Sequence, residues 1–141
     1  MKLDVKKAEV WAATIEDRPG GLAEKLNAIA DAGTNLDFIV SRRTPEKPGN
    51  GVVFVTPIKG AKQVKAAQNA GFQMSDSLHS VRIEGTDKPG LGAMLSNALA
   101  DAGLNLRGLS GASFGKRFVG YLALDTAEDA AKAASVLKKL S

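Results

Sequence analysis

Cysteine is absent from this 141-residue chain, and histidine occurs once. The first absence removes any disulfide framework or thiolate metal site. The two together remove zinc fingers, Cys–His nucleophilic pairs and most catalytic zinc centres. Aromatic residues are scarce, seven in all, which leaves little for stacking on nucleic-acid bases. No apolar run approaches the roughly 18 residues of a membrane span. The start, Met1-Lys2-Leu3-Asp4-Val5-Lys6-Lys7, lacks the apolar stretch of a signal peptide. Neither sign of charge dominates, with 19 Lys/Arg against 15 Asp/Glu. The basic residues are dispersed apart from pairs such as Arg42-Arg43, Lys116-Arg117 and Lys138-Lys139. What is present is 44% apolar, enough to bury the core of one ordinary domain or two small ones. A soluble, cytoplasmic protein without membrane or nucleic-acid partners is expected.

The organising feature is an internal repeat at an offset of 70 residues. Residues 17–36 align without a gap to 87–106, with identity at 12 of 20 positions; unrelated segments would share roughly one or two. The identities include Asp17/Asp87, Pro19/Pro89, Gly20/Gly90, Gly33/Gly103 and Asn35/Asn105. Alanine enrichment cannot produce those coincidences. The chain is a duplication.

Each copy reads as strand, helix, two strands, helix. Strands are expected at 10–15 and 80–85, short and partly β-branched. An Asp-x-Pro-Gly turn follows, with Asp17 or Asp87 placed as N-cap and proline in the first helical turn. Leu22, Leu26 and Ile29 form one apolar stripe, and Leu91, Leu95, Ala98 and Leu99 the other. Gly33 and Gly103 end these helices as C-cap glycines. Strands at 36–43 and 106–114 pair with 52–58 and 117–125, the latter through a tight Gly115-Lys116 link. Helices at 61–70 and 126–140 close the copies, the last capped by Thr126. Residues 72–78 supply a fourth strand to copy one. The expected architecture is α+β: two ferredoxin-like βαββαβ units side by side, the second lacking its last strand. The domains would run 1–71, with its last strand at 72–78, and 79–141. Residues 3–5 alternate apolar and charged and could replace the missing strand; a frayed tail is the alternative.

Apolar positions drift between the copies, as with Leu22 facing Gly92, while Asp, Pro, Gly and Asn persist. Caps, relaxed turns and tied-down loops would account for each of these residues singly. Together they also suit a zwitterion. Free N–H groups at a helix N-terminus attract a carboxylate, and a carboxylate or amide oxygen accepts from an ammonium. The Asp and Asn side chains are expected to flank the same sheet end in both copies, where Asp17, Gly20 and Asn35 would form such a clamp, repeated in Asp87, Gly90 and Asn105.

Asp17-Arg18-Pro19-Gly20-Gly21-Leu22 with Gly33-Thr34-Asn35-Leu36 resembles the ACT-domain signature, as does Asp87-Lys88-Pro89-Gly90 with Gly103-Leu104-Asn105-Leu106. The resemblance extends from about residue 10 to 140. It implies βαββαβ regulatory modules that sense an amino acid at interfaces between paired domains. Asp17, Pro19, Gly20, Gly21, Leu22, Asn35 and Leu36 would then be ligand-binding, with Asp87, Gly90 and Asn105 in the second copy. Copy one, which keeps Leu22 and a complete strand set, is expected to bind better. A homodimer and a metabolic enzyme are the implied partners, with no cofactor and no metal.

Other functions have less support in the residues. His79 has no nucleophile paired with it locally, Gly20-Gly21 and Gly90-Leu91-Gly92 are too short for a phosphate loop, and no catalytic residue is assigned. Lys116-Arg117-Phe118-Val119-Gly120-Tyr121 faintly resembles the third strand of an RNA-recognition domain, but the first copy's Val52-Val53-Phe54-Val55 has no such pattern. A ligand-free regulatory subunit that only pairs with an enzyme is the remaining alternative.

Overall fold

The computed structural model describes residues 2–75 and 79–140. The chain opens with β1 (Leu3–Ala8). The first copy follows as β2 (Trp11–Glu16), α1 (Gly21–Ala30), β3 (Phe38–Arg43), β4 (Asn50–Thr56), α2 (Gly60–Asn69) and β5 (Gln73–Met74). The second copy is β6 (His79–Thr86), α3 (Leu91–Asp101), β7 (Gly108–Phe114), β8 (Arg117–Leu124) and α4 (Ala127–Lys139). Two four-stranded sheets result, in the orders β3-β4-β2-β5 and β1-β6-β8-β7, and their observed pairs are antiparallel. The two ferredoxin-like α+β units expected from the repeat are present. Residues 76–78, the end of the expected fourth strand of copy one, lie outside the described residues; that strand pairs with β2 at Gln73 and Met74.

The second sheet is not short of a strand. β1 lies antiparallel to β6, from Leu3 opposite Gly85 to Ala8 opposite Ser80. It takes the place beside β6 that β5 takes beside β2. The alternation explains the choice: Leu3 and Val5 are buried in the second unit's core, while Asp4 and Lys6 point outward. The compact units are therefore 9–75 and 1–8 with 76–141. A boundary drawn at 71 assigns residues 1–8 to the first copy, whereas their backbone pairing and buried side chains belong to the second.

In the unit 9–75, Trp11, Ala13, Ile15, Val53 and Val55 pack beneath Ile29 of α1 and Ala67 of α2, with Phe72 closing the core. In the other unit, Leu3, Val5, Val81, Ile83, Leu122 and Leu124 pack beneath Leu91, Leu95 and Leu99 of α3 and Ala133 and Leu137 of α4. Val53, Val55, Phe118 and Leu122 all face the helix-covered cores. Strand alternation puts Val52 and Phe54, and Arg82, Glu84 and Tyr121, on the opposite faces.

Helix ends follow the sequence in part. Gly33 and Gly103 stop α1 and α3 as expected. Their N–H groups bond to Ala30 O and Ala100 O at 2.9 Å, and the next residues, Thr34 and Leu104, reach back to Ile29 O and Leu99 O. The chain reverses through positive φ at both glycines, 82° and 77°. Thr126 Oγ1 accepts from the Asp129 N–H at 3.0 Å, the expected cap of α4. Asp17 and Asp87 are not caps: Gly20 and Gly90 occupy those positions in the left-handed region, without a side-chain capping bond. Proline falls before the helix rather than inside its first turn. Among the described residues, no helix is long and apolar enough to cross a membrane.

Candidate functional site

The repeated turn is built alike in both units. The Asp17 N–H donates to Gly49 O in the β3–β4 connection at 3.0 Å, and the Asp87 N–H to Lys116 O in the β7–β8 link at 2.9 Å. Each aspartate is thereby fixed where its first strand leaves the sheet. The chain then turns through Gly20 or Gly90, at φ 86° and 80°, a conformation that suits glycine. The helices' own bonds begin with the Glu24 N–H to Gly20 O and the Met94 N–H to Gly90 O. Leu22 and Ala23 in one turn, and Gly92 and Ala93 in the other, therefore offer N–H groups without acceptors among the described residues.

The side chains around the two turns differ. Asp17 Oδ2 accepts from Arg43 Nε at 2.9 Å. Arg18 spans the first turn, donating from Nε to Glu16 at 2.5 Å, from Nη2 to Glu24 at 2.7 Å and from Nη1 to Pro19 O at 3.2 Å. Those hydrogen bonds hold the Glu16 carboxyl below its ordinary pKa and raise that of Arg18. The 70-residue offset puts Thr86, Lys88, Met94 and Ser113 at the positions of Glu16, Arg18, Glu24 and Arg43. The Asp87 carboxylate consequently has no partner among the described residues. Sequence reading passed over Arg43. Parallel strands β2 and β3, both paired antiparallel to β4, bring it to the Asp17 end of the sheet.

The same register separates aspartate from asparagine. Glu16 faces Asn50 at the start of β4, whereas Phe38, which follows Asn35, faces Thr56 at its end. Six residues of strand make roughly 20 Å. Asp87 and Asn105 part likewise, because Thr86 faces Arg117 and Gly108 faces Ala123. The expectation that both side chains flank one sheet end is overturned, because two parallel strands joined by a helix start and finish at opposite ends. Asp17, Pro19, Gly20 and Gly21 come together with Arg18, Glu24 and Arg43. Asn35 and Asn105 are exposed at the far ends, and Leu22 and Leu36 pack against the first unit's core. One amino acid cannot touch both Asp17 and Asn35 of a single unit.

The Gly-Leu order is also exchanged between copies. A Cβ on Gly21 would lie 2.1 Å from Glu16 O, so only glycine fits there, and Leu22 carries the apolar contact. In the second turn Leu91 is itself buried and Gly92 stands in open space. Among the described residues no group of three or more His, Asp or Glu is placed to hold a metal.

Strand order and helix placement define a protein of two ferredoxin-like units with a repeated glycine turn. Residues 13–70 match the family model of the ACT domain. The chain therefore contains an ACT domain in its first unit, and the second unit repeats Asp87, Pro89, Gly90, Gly103 and Asn105 in a sheet of equivalent strand order. No curated protein matches it in sequence. Among solved structures it is similar to protein BT0572 from Bacteroides thetaiotaomicron, with TM-score 0.80 and 17% identity over 96% of this chain and 90% of that one. It is also similar to the ligand-free regulatory subunit of aspartate kinase from Thermus thermophilus, with TM-score 0.64 and 21% identity over 98% and 94%. A third is aspartokinase III of E. coli in complex with aspartate and ADP, with TM-score 0.60 and 15% identity over 97% of this chain and 32% of that one. At these identities the likeness is one of fold.

Proposed function

We propose that this protein is a regulatory module that senses an amino acid, its Asp-x-Pro-Gly turns receiving the ligand and its response acting on a metabolic enzyme. The observation that carries the reading is the turn itself, built twice, with two free helix N–H groups beside a fixed aspartate. The N–H pair suits a carboxylate and the aspartate an ammonium. The ACT-domain match and the fold shared with an aspartate kinase regulatory subunit support it.

Both copies are candidates. The first has a complete sheet and Leu22; in the second, β1 completes the sheet and Leu91 is buried in the leucine's place. Asp87 is moreover free to meet an ammonium, while Asp17 shares its charge with Arg43. Because Asn35 and Asn105 lie at the far ends of their sheets, a ligand held at one turn meets the asparagine of a second copy of the chain.

Thermal-shift screening of the twenty amino acids tests the reading. A ligand at a hundred times its dissociation constant stabilises by about 2.7 kcal/mol. Calorimetric titration of the responding amino acid should then weaken about ten- to a hundredfold in Asn35→Ala or Asn105→Ala, the loss of a charge-assisted hydrogen bond. No shift with any amino acid would favour a ligand-free subunit that only pairs with an enzyme.

A further inference from the structure

β1 belongs to a unit that it reaches only through another. Its backbone lies along β6, from Leu3 opposite Gly85 to Ala8 opposite Ser80, and Leu3 and Val5 are buried in the core beneath α3 and α4. Gly85 leaves room for it: a Cβ there would lie 2.8 Å from Leu3 Cδ2, and the first unit has Ile15 at the corresponding position. Yet the chain leads from Ala8 to His79 only by way of residues 9–78, which include the whole unit 9–75. Without cysteine, no covalent cross-link holds the strand in place.

A strand docked across so long a loop depends on how the loop is closed. Within the unit 9–75 the Ser75 N–H donates to Val10 O at 3.0 Å, in line with the β2–β5 pairs Trp11–Met74 and Ala12–Gln73. The buried Thr56 hydroxyl donates to Glu9 O at 2.8 Å. The two ends of the inserted unit are therefore fixed side by side by its own fold. The chain between those ends and the β1–β6 ladder is then only residue 9 on one side and 76–78 on the other.

We infer that the inserted unit is the clasp of the enclosing one: β1 stays on β6 because the fold of 9–75 closes the loop between them, and unfolding 9–75 releases the strand and opens the β6 edge. Closure cost rises as three halves of the logarithm of loop length. Folding of 9–75 cuts the effective loop roughly tenfold, from about seventy residues, so its unfolding weakens β1 docking about thirtyfold. A ligand that stabilises 9–75 also tightens β1, so a signal received in the first unit reaches the second through chain connectivity alone. That last consequence rests on the ligand reading; the clasp does not.

Hydrogen exchange of the full chain without ligand tests the clasp, read by NMR at the amides shared between β1 and β6. Val53 is wholly buried beneath α1 and α2, so the unpaired carboxylate of Val53→Asp should unfold 9–75, with loss of the buried-Trp11 fluorescence as the check. A permuted chain supplies the second arm: it begins at residue 9, runs to 141 and continues directly into 1–8. Residues 140–141 and 1–2 then join α4 to β1, as 70–72 join α2 to β5, and β1 no longer hangs on 9–75. In the natural order Val53→Asp should speed exchange of the β1–β6 amides about thirtyfold. In the permuted order the same substitution should leave them unchanged. If the Val53→Asp chain aggregates, Gly21→Ala in urea sufficient to abolish the Trp11 signal carries the same comparison. Unchanged exchange in the natural order, an equal rise in the permuted order, or a permuted chain that does not fold would each overturn the clasp.

Discussion

Gly21 is a position where one methyl group decides whether the first turn can close. Its Cβ would sit 2.1 Å from Glu16 O, against an ordinary contact of 3.4 Å or more. The carbonyl belongs to the end of β2, so the turn must open by over an ångström. That opening strains the Gly21 N–H to Arg18 O bond at 3.0 Å and the Asp17 N–H to Gly49 O bond at 3.0 Å. Overpacking of this kind costs about 1–3 kcal/mol, and a lost backbone bond about 1 kcal/mol more. Gly21→Ala should therefore destabilise the unit 9–75 by about 2–4 kcal/mol, a fall of roughly 10–25 °C in its melting temperature. Trp11, the single tryptophan, is buried in that unit and reports on it by fluorescence. Gly92→Ala is the matched control: nothing lies within 4 Å of its Cβ, and helix propensity predicts a gain of about 0.5–1 kcal/mol in the other unit. A Gly21→Ala protein whose Trp11 transition moves by less than about 0.5 kcal/mol would refute the reasoning.

Leu3→Ala should loosen the second unit by about 2–4 kcal/mol, because Leu3 is buried against the core that β1 completes; unchanged hydrogen-exchange protection in β6 would rule that out. Glu84 accepts from Arg82 at 2.8 Å and Arg117 at 3.2 Å, and these bonds hold its carboxyl below the ordinary value. Burial alone would lower the Arg82 pKa, but hydrogen bonds to Glu84 and Tyr121 carry it above its ordinary value. A depressed carboxyl contributes fully above the unfolded chain's pKa and loses that contribution as pH falls through the folded one. Glu84→Gln should thus be less stable than wild type at neutral pH and converge with it in acid, and denaturation curves still equally far apart in acid would contradict the linkage.

The elements were legible because their signals are local. A glycine four residues beyond the last stripe position, Ile29 or Leu99, ends α1 and α3 through positive φ, and Thr126 caps α4 with its own hydroxyl. The Asp-x-Pro-Gly turn was misread for a related reason: aspartate before a helix is a common cap, but the left-handed Gly20 puts an extra bend between Asp17 and the helix. Side-chain neighbourhood was less legible. Arg43 lies 26 residues from Asp17, and nothing in either segment signals the pair until β2 and β3 are placed in parallel around β4. The separation of Asp17 from Asn35 follows from the same placement and was available from the βαβ connection. A helix that leads from one strand into a parallel strand returns the chain to the starting end of the sheet.

The place of β1 carries the argument from sequence to ancestry of form. Its sheet neighbour is β6, as the neighbour of β5 is β2, so the second unit has its last strand ahead of its first. That is a circular permutation of the first unit's order, and 9–75 is an insertion between two strands hydrogen-bonded to each other. Permutation is tolerated where the joined and cut ends both lie at the surface. It also changes what a cut in the chain removes. Residues 9–75 include every strand and helix of their own core, whereas 79–141 alone leave the outer edge of β6 open and Val81 and Ile83 without Leu3 and Val5. Two copies alike in sequence are therefore unequal in dependence: the inserted unit owns its fold, and the enclosing unit borrows its last strand from the far end of the chain.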